Sequence, residues 1–312
     1  MPDISQLHLD ALLTQIMVGY RNRNLVSEIV APQVLVDEHA GKYFVGDKSE
    51  WRPTDDLRRP GTIAGEVEWK ESLDTYYCDG HAQLTVIPDE WRRTAGARAL
   101  NLDVTGTNKV SRIVALNKEV ALVAALVAGC TTVNLATGGL QWDDDDNDPV
   151  ARVDSDKETI IKACGEAPNT LLLSRPVFRG VRNNACIAQR ITAAQRLADA
   201  LVTPEQLASL FELNQVLVAD GVKLTSNEGA TVDVPAFIWG NYALLFYLPS
   251  SPGPNELSLA YTLRWDVGQA GRAIYRYRAV EARHADTIEA QDHYDQKIVV
   301  QGAGILYSNA VA

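Results

Sequence analysis

The stretch Asp103–Gly129, DVTGTNKVSRIVALNKEVALVAALVAG, decides how this chain is read. Val110, Ile113, Val114, Asn117, Val120, Ala121, Ala124 and Val127 recur at i, i+3, i+4 spacing, which predicts one face of a long α-helix. Asp103 is placed to cap its start and Gly129 its end. At 1.5 Å per residue such a helix runs ~40 Å. That is longer than the ordinary helix of a globular domain, and it reads as a spine on which other elements lie.

Toward the N-terminus, residues 1–40 read as an arm. Leu9, Leu12, Leu13 and Ile16 predict one short amphipathic helix, and Asn24–Val36 reads as extended, with Pro32 set against helix. Residues 41–90 read as a long β-hairpin. Strand-like runs at 42–46 and 65–69 flank WRPTDDLRRPGTIAG (Trp51–Gly65), which is too polar for a core, and Tyr76–Ile87 alternates again up to Pro88. A two-stranded ribbon is marginal in water. The hairpin is therefore expected to lie on another surface, of this chain or of a neighbouring copy.

Toward the C-terminus, Ser155-x-x-Glu158 reads as a capping box, opening a short helix that Gly165 closes. TLLLS (Thr170–Ser174) is a buried strand, and Ser174 with Pro176 starts a helix. Ile187, Ile191, Ala194, Leu197 and Leu201 mark a second helix, and Thr203-Pro204-x-Gln206 opens a third. Gln215–Ala219 and Ala236–Leu248 read as strands before the breaker PSSPGPNE (Pro249–Glu256). Strands return at 259–265, 273–280, 297–301 and 305–307. The fold class is α+β.

Composition narrows the function. The 312 residues carry 29 Lys+Arg and 40 Asp+Glu, a formal net charge of −11. That excludes a protein dedicated to gripping nucleic acid, but not one that encloses it. With 46% hydrophobic residues the chain can bury a core. No basic-then-apolar leader is present, and the apolar run Val120–Gly129 falls short of a roughly 18-residue span. A soluble protein of intracellular origin with no membrane partner is expected. Cys78, Cys130, Cys164 and Cys186 form no CxxC pair and read as buried thiols. Gln141–Glu158 holds eight acids against two bases, while Arg175–Arg196 holds five arginines and no acid.

Catalytic motifs are missing. There is no Walker loop, GxGxxG, GxSxG or HExxH. The acidic run Asp143–Asp148 places Asp148 and Asp154 where a calcium loop needs Gly and Glu, and Pro149 interrupts the turn. Glu281-x-x-His284, with Glu289 and His293, is only a fragment of a di-iron ligand set. His8, His39 and His81 suggest no triad. No catalytic, cofactor-binding or metal residue is assigned, no cofactor is expected, and the chain reads as not an enzyme.

The order arm, projecting hairpin, spine helix, α/β unit and returning strands resembles the HK97-like capsid fold of tailed-bacteriophage major capsid proteins. Local strings carry the same resemblance: Arg58-Arg59-Pro60-Gly61, TYYCDGHA (Thr75–Ala82), Ile87-Pro88-Asp89-Glu90, GLQWDDDDNDP (Gly139–Pro149) and PNTLLLSRPVF (Pro168–Phe178). The resemblance implies an N-terminal arm over 1–40 and an E-loop over 41–90. It implies a peripheral domain of 91–165 with 257–312, and an axial domain of 166–256. It implies a structural protein that self-assembles, as pentamers and hexamers, into an icosahedral head enclosing double-stranded DNA. A separate scaffolding protein, a portal protein and DNA held without sequence-specific contacts would be its partners. The protein would be made in the bacterial host cytoplasm and reside in the virion capsid. Assembly contacts are expected at Arg58, Arg59, Pro60 and Gly61 on the hairpin tip, and at Asp89, Glu90, Arg92 and Arg93 where the chain enters the spine. The alternatives are an encapsulin-like nanocompartment shell and a soluble α/β enzyme with an acidic metal loop.

Overall fold

The computed structural model describes residues 8–19, 24–45, 51, 53, 56–61, 63, 72–95, 99–195, 202–253, 256–266, 272–278 and 284–312. The arm supplies β1 (His8–Leu9), α1 (Ala11–Gly19), α2 (Ser27–Val30) and β2 (Gln33–Val36). The hairpin region supplies β3 (Ala40–Val45), β4 (Ser72–Tyr77) and β5 (Asp79–Pro88), then α3 (Asp89–Ala95) and the spine α4 (Ala99–Gly129). There follow β6 (Thr131–Asn134), α5 (Pro149–Cys164), β7 (Thr170–Ser174), α6 (Arg175–Asn183), α7 (Ala185–Gln195) and α8 (Pro204–Leu210). The remaining strands are β8 (Gln215–Ala219), β9 (Val222–Leu224), β10 (Pro235–Phe237), β11 (Ala243–Phe246), β12 (Ala260–Trp265), β13 (Arg272–Arg278), β14 (Ala285–Ile298) and β15 (Gly304–Ser308).

Two sheets organise these elements. The first, of six strands, runs β1-β13-β14-β12-β2, with β5 also paired to β14. The second, of five, runs β6-β15-β11-β7-β8. In the second sheet every residue of β7 and β11 is buried. Uniform burial is what a strand covered on both faces requires, and it explains the unbroken apolar run TLLLS. In the first sheet β14 instead alternates, burying every second residue from Ile288 to Tyr294. Over the span of β14 the sequence reading places a strand only from 297 onward. The charged residues Asp286, Glu289, Asp292 and Asp295 hide a strand of 14 residues.

The spine is longer than expected. It starts at Ala99 rather than Asp103, and its 31 residues span about 46 Å. Asp103 is not its cap but a buried carboxylate inside it. The buried face is also rotated. Val110 and Val114 are buried as expected, but Asn117, Ala121, Ala124 and Val127 are exposed. In their place Ser111, Lys118, Glu119, Leu122, Val123 and Leu126 turn inward. Periodicity favours the more apolar of two adjacent stripes. The fold instead buries the stripe containing Lys118 and Glu119: distant elements supply donors to the Glu119 carboxylate, and the Lys118 amine lies beside the Tyr294 ring.

Other local corrections have similar causes. Segment 24–36 is not extended throughout, since α2 interrupts it. Helix α5 begins at Pro149, capped by Asp148, whose Oδ1 accepts from Val150 N at 3.1 Å. Ser155 and Glu158 therefore lie inside the helix, and their box-like spacing is incidental. Gly165 closes α5 at φ +82°, and the Trp51 ring packs where a Cβ there would sit. The Thr203–Gln206 capping box forms as read. Ala236–Leu248 is two short strands, β10 and β11, with a turn between them. Cys78 and Cys164 are buried, but Cys130 and Cys186 are only half-buried. In the second sheet β15, within 257–312, and β6, within 91–165, pair alongside β7, β8 and β11.

Candidate functional site

Three regions hold the candidate side chains: the hairpin, the entry into the spine, and a buried polar junction where the arm meets the spine. In the hairpin β3 pairs β4 antiparallel, with Val45 opposite Ser72 and Ala40 opposite Tyr77. Its base is anchored on this chain. Tyr76, Cys78 and Tyr43 pack with Val34, Tyr261 and Leu263 of β2 and β12. Burial pushes the Cys78 thiol up to about 11, so it is an inert core group. Of the six β4 residues only Tyr76, at the base, is buried. Leu57 is 81% exposed and Ile63 96%. Arg58, Arg59, Pro60 and Gly61 form an exposed tip, with Pro60–Gly61 in a turn and Gly61 at φ +85°. The expected strand at 65–69 lies outside the described residues.

The entry into the spine divides the other four expected contacts. Glu90 and Arg93 are exposed on α3. Asp89 and Arg92 are committed within the chain. Arg92 Nη1 donates to Asp103 Oδ2 at 3.1 Å and its guanidinium reaches Asp286 at 3.3 Å. Arg276 bridges the same two acids, at 3.6 and 3.0 Å. Arg278 Nη1 binds Asp89 at 3.0 Å and Asp286 at 3.2 Å. Burial raises the Asp286 carboxyl, but the Arg276 hydrogen bond and the Arg92 charge outweigh it and hold the group below its ordinary range. This ladder of alternating charge fastens α3 and the start of the spine to β13 and β14.

The acidic and basic segments also meet inside one subunit. Asp148 Oδ2 accepts from Arg190 at 2.5 Å and Asp145 Oδ1 from Ala185 N at 2.8 Å. Asn184 Nδ2 donates to the carbonyls of Trp142, Asp144 and Asn147. Trp142 lies in the core beside Tyr307, with ring centroids 4.9 Å apart. The acidic run is thus a structural knot over the second sheet. Among the described residues no group of three or more His, Cys, Asp or Glu is placed to hold a metal ion. Among the described residues no helix is long and apolar enough to cross a membrane.

Sequence reasoning missed the third region entirely. Glu119, fully buried on the spine, accepts from Val26 N at 3.0 Å, Ser27 N at 2.7 Å and Trp239 Nε1 at 2.7 Å. One carboxylate thereby ties arm, spine and the β10–β11 turn together. Beside it five side chains close a ring. Glu28 Oε1 accepts from Gln33 Nε2 at 2.8 Å and Arg272 Nη2 at 2.6 Å. Arg272 Nε reaches Asp292 Oδ2 at 3.3 Å, and Arg264 grips the same carboxylate through Nε at 2.9 Å and Nη2 at 3.1 Å. Arg264 Nη1 returns to Gln33 Oε1. Lys118 reaches over this ring with Nζ 5.1 Å from the Tyr294 ring centroid. Its amine is buried and meets no hydrogen-bond acceptor among the described residues. The one available signal was a Lys-Glu pair inside an otherwise apolar helix stretch.

No protein-family model matches this chain. The crystal structure of a phage-related protein from Bordetella bronchiseptica RB50 superposes with a TM-score of 0.77 over 97% of this chain and 98% of that one, at 23% identity. The capsid structure of the cyanophage P-SCSP1u gives 0.56 over 91% and 87%, at 10% identity. The chain has the HK97-like capsid fold. In sequence, this capsid-fold chain is 23% identical to the major capsid protein of Burkholderia phage BcepMu over 98% of both.

Proposed function

We propose that this chain is the major capsid protein of a tailed phage, a structural protein whose copies assemble into the icosahedral head. The observation that carries the reading is likeness from end to end to a phage major capsid protein, in sequence and in fold together. Two surfaces fit it. The hairpin holds Leu57, Ile63, Leu73 and Leu84 exposed, although its base is well packed. The β9–β10 ribbon turns Val222, Leu224, Pro235 and Phe237 outward on one face, with Val222 opposite Phe237 and Leu224 opposite Pro235. Apolar faces of this kind on short ribbons gain stability when a second copy covers them.

In this reading the hairpin lies across a neighbouring subunit and the β9–β10 ribbon faces a capsomer axis. Each contact is modest and their number makes the shell stable. Arg58, Arg59, Glu90 and Arg93 are exposed and would lie at subunit contacts. Asp89 and Arg92 act from within, by holding the entry to the spine at a set angle. The arm extends to about residue 40 and the hairpin to about 90. The axial unit takes in β6, α5 and β15 along with 166–256. The acidic balance suits a wall around packaged double-stranded DNA, which it repels rather than binds. A separate scaffolding protein and a portal complete the assembly, made in the host cytoplasm and ending in the virion.

Electron microscopy of the purified chain, alone and with its scaffold, tests this. Closed shells are expected. A persistent monomer under both conditions counts against it, and shells filled with protein cargo point to a nanocompartment instead.

A further inference from the structure

The ring around Asp292 is charge-balanced without Lys118: two guanidiniums, Arg264 and Arg272, face two carboxylates, Glu28 and Asp292. A protonated Lys118 adds a third cation to a junction whose acids are already engaged. Every element packed against the amine contributes. Glu28 comes from α2, Arg264 from β12, Arg272 from β13, and Asp292 with Tyr294 from β14. From β5, His81 stacks on the Tyr294 ring at 4.2 Å. Glu119, next on the spine, is already committed to Val26, Ser27 and Trp239. Of these elements, β12, β13 and β14 are bound into one sheet ladder. Helix α2 is a single turn, held by Glu28 and by the Glu119 carboxylate.

We propose that Lys118 is a proton-sensitive latch for arm segment 24–36, which docks on the spine while the amine is neutral and loosens when Nζ takes a proton. Undocking α2 lets water reach Nζ, so the open state accepts the proton more readily than the docked one. Burial, with the charges of Arg264 and Arg272, pushes Lys118 down to about 7, and the nearby carboxylates only partly offset this. An ordinary lysine titrates near 10.4. The sign follows. Docking is strongest above lysine's ordinary value and weakens by up to about tenfold per pH unit as pH falls toward 7, then levels off below it. The latch concerns one subunit and stands whether or not the shell reading does.

Hydrogen–deuterium exchange of the full chain between pH 9 and pH 6, corrected for the intrinsic exchange rate, tests it, with β11 as internal reference. Opening of 24–36 is expected to rise by more than about tenfold from pH 9 to 7 and little further to pH 6. Lys118→Met should flatten the profile, and His81→Gln should leave it unchanged. A flat wild-type profile overturns the proposal. So does a slope that survives in Lys118→Met, one that disappears in His81→Gln, or one shared equally by β11. Should Lys118→Met not fold, the wild-type profile and His81→Gln decide alone.

Discussion

Strands β7 and β4 are both short, both paired, and opposite in kind. All five residues of β7 are buried, and it lies between β11 and β8 with helices nearby. Of the six residues of β4 one is buried, and among the described residues its ladder has a single partner, β3. The chain completes the first environment by itself and leaves the second open. Stability of the subunit is therefore concentrated in the second sheet and the junctions with the spine. The hairpin beyond its base contributes surface rather than stability.

That contrast can be broken by substitution. The largest effect is expected in the second sheet: Leu172→Ala should cost about 3 kcal/mol, read as a lowered urea midpoint at unchanged m-value. Next comes Glu119→Ala. It strands the Val26 and Ser27 amides and the Trp239 indole N–H, and should cost about 2–3 kcal/mol, with exchange of 24–36 rising ahead of the rest. Arg92→Met removes one side of the ladder with Asp103 and Asp286 and should cost about 1–2 kcal/mol, less at high salt. Smallest for the subunit is the hairpin tip. The double reversal Arg58→Glu, Arg59→Glu should change subunit stability by less than about 0.5 kcal/mol, with circular dichroism unaltered, yet reduce shell yield in sedimentation. Ile63→Ser should behave alike. If tip variants assemble normally, the exposed residues of the hairpin are not contact residues. If they unfold the subunit, the contrast between β7 and β4 is wrong.

The sequence made much of this legible, and the places where it failed share a cause. TLLLS, the Thr203 capping box, the Gly165 stop and the existence of the spine depend on neighbours within a turn or a strand. The spine's inward face does not. Lys118 and Glu119 look like surface residues until Glu28, Arg264, Arg272, Asp292 and Trp239 come within reach, from up to 174 positions away along the chain. Strand β14 was obscured likewise, because its Asp286 and Asp292 are matched by arginines on β12 and β13. Of the eight expected contact residues, six are exposed; for Asp89 and Arg92 nothing local revealed that Arg278, Asp103 and Asp286 would claim them.

By itself, the sequence determined the order of elements: an arm, a polar-tipped hairpin, a long helix, an apolar α/β unit and returning strands. Periodicity, caps and breakers are short-range, so they survive in a one-dimensional reading. Only the tertiary structure decided which stripe of the spine is buried and which sheet β15 and β6 join. It also decided that acidic and basic segments pair within one subunit. These are choices among burial patterns of similar hydrophobicity. They are settled by contacts such as those of Glu119, Asp103 and Asp292, whose partners come from parts of the chain that only folding brings together.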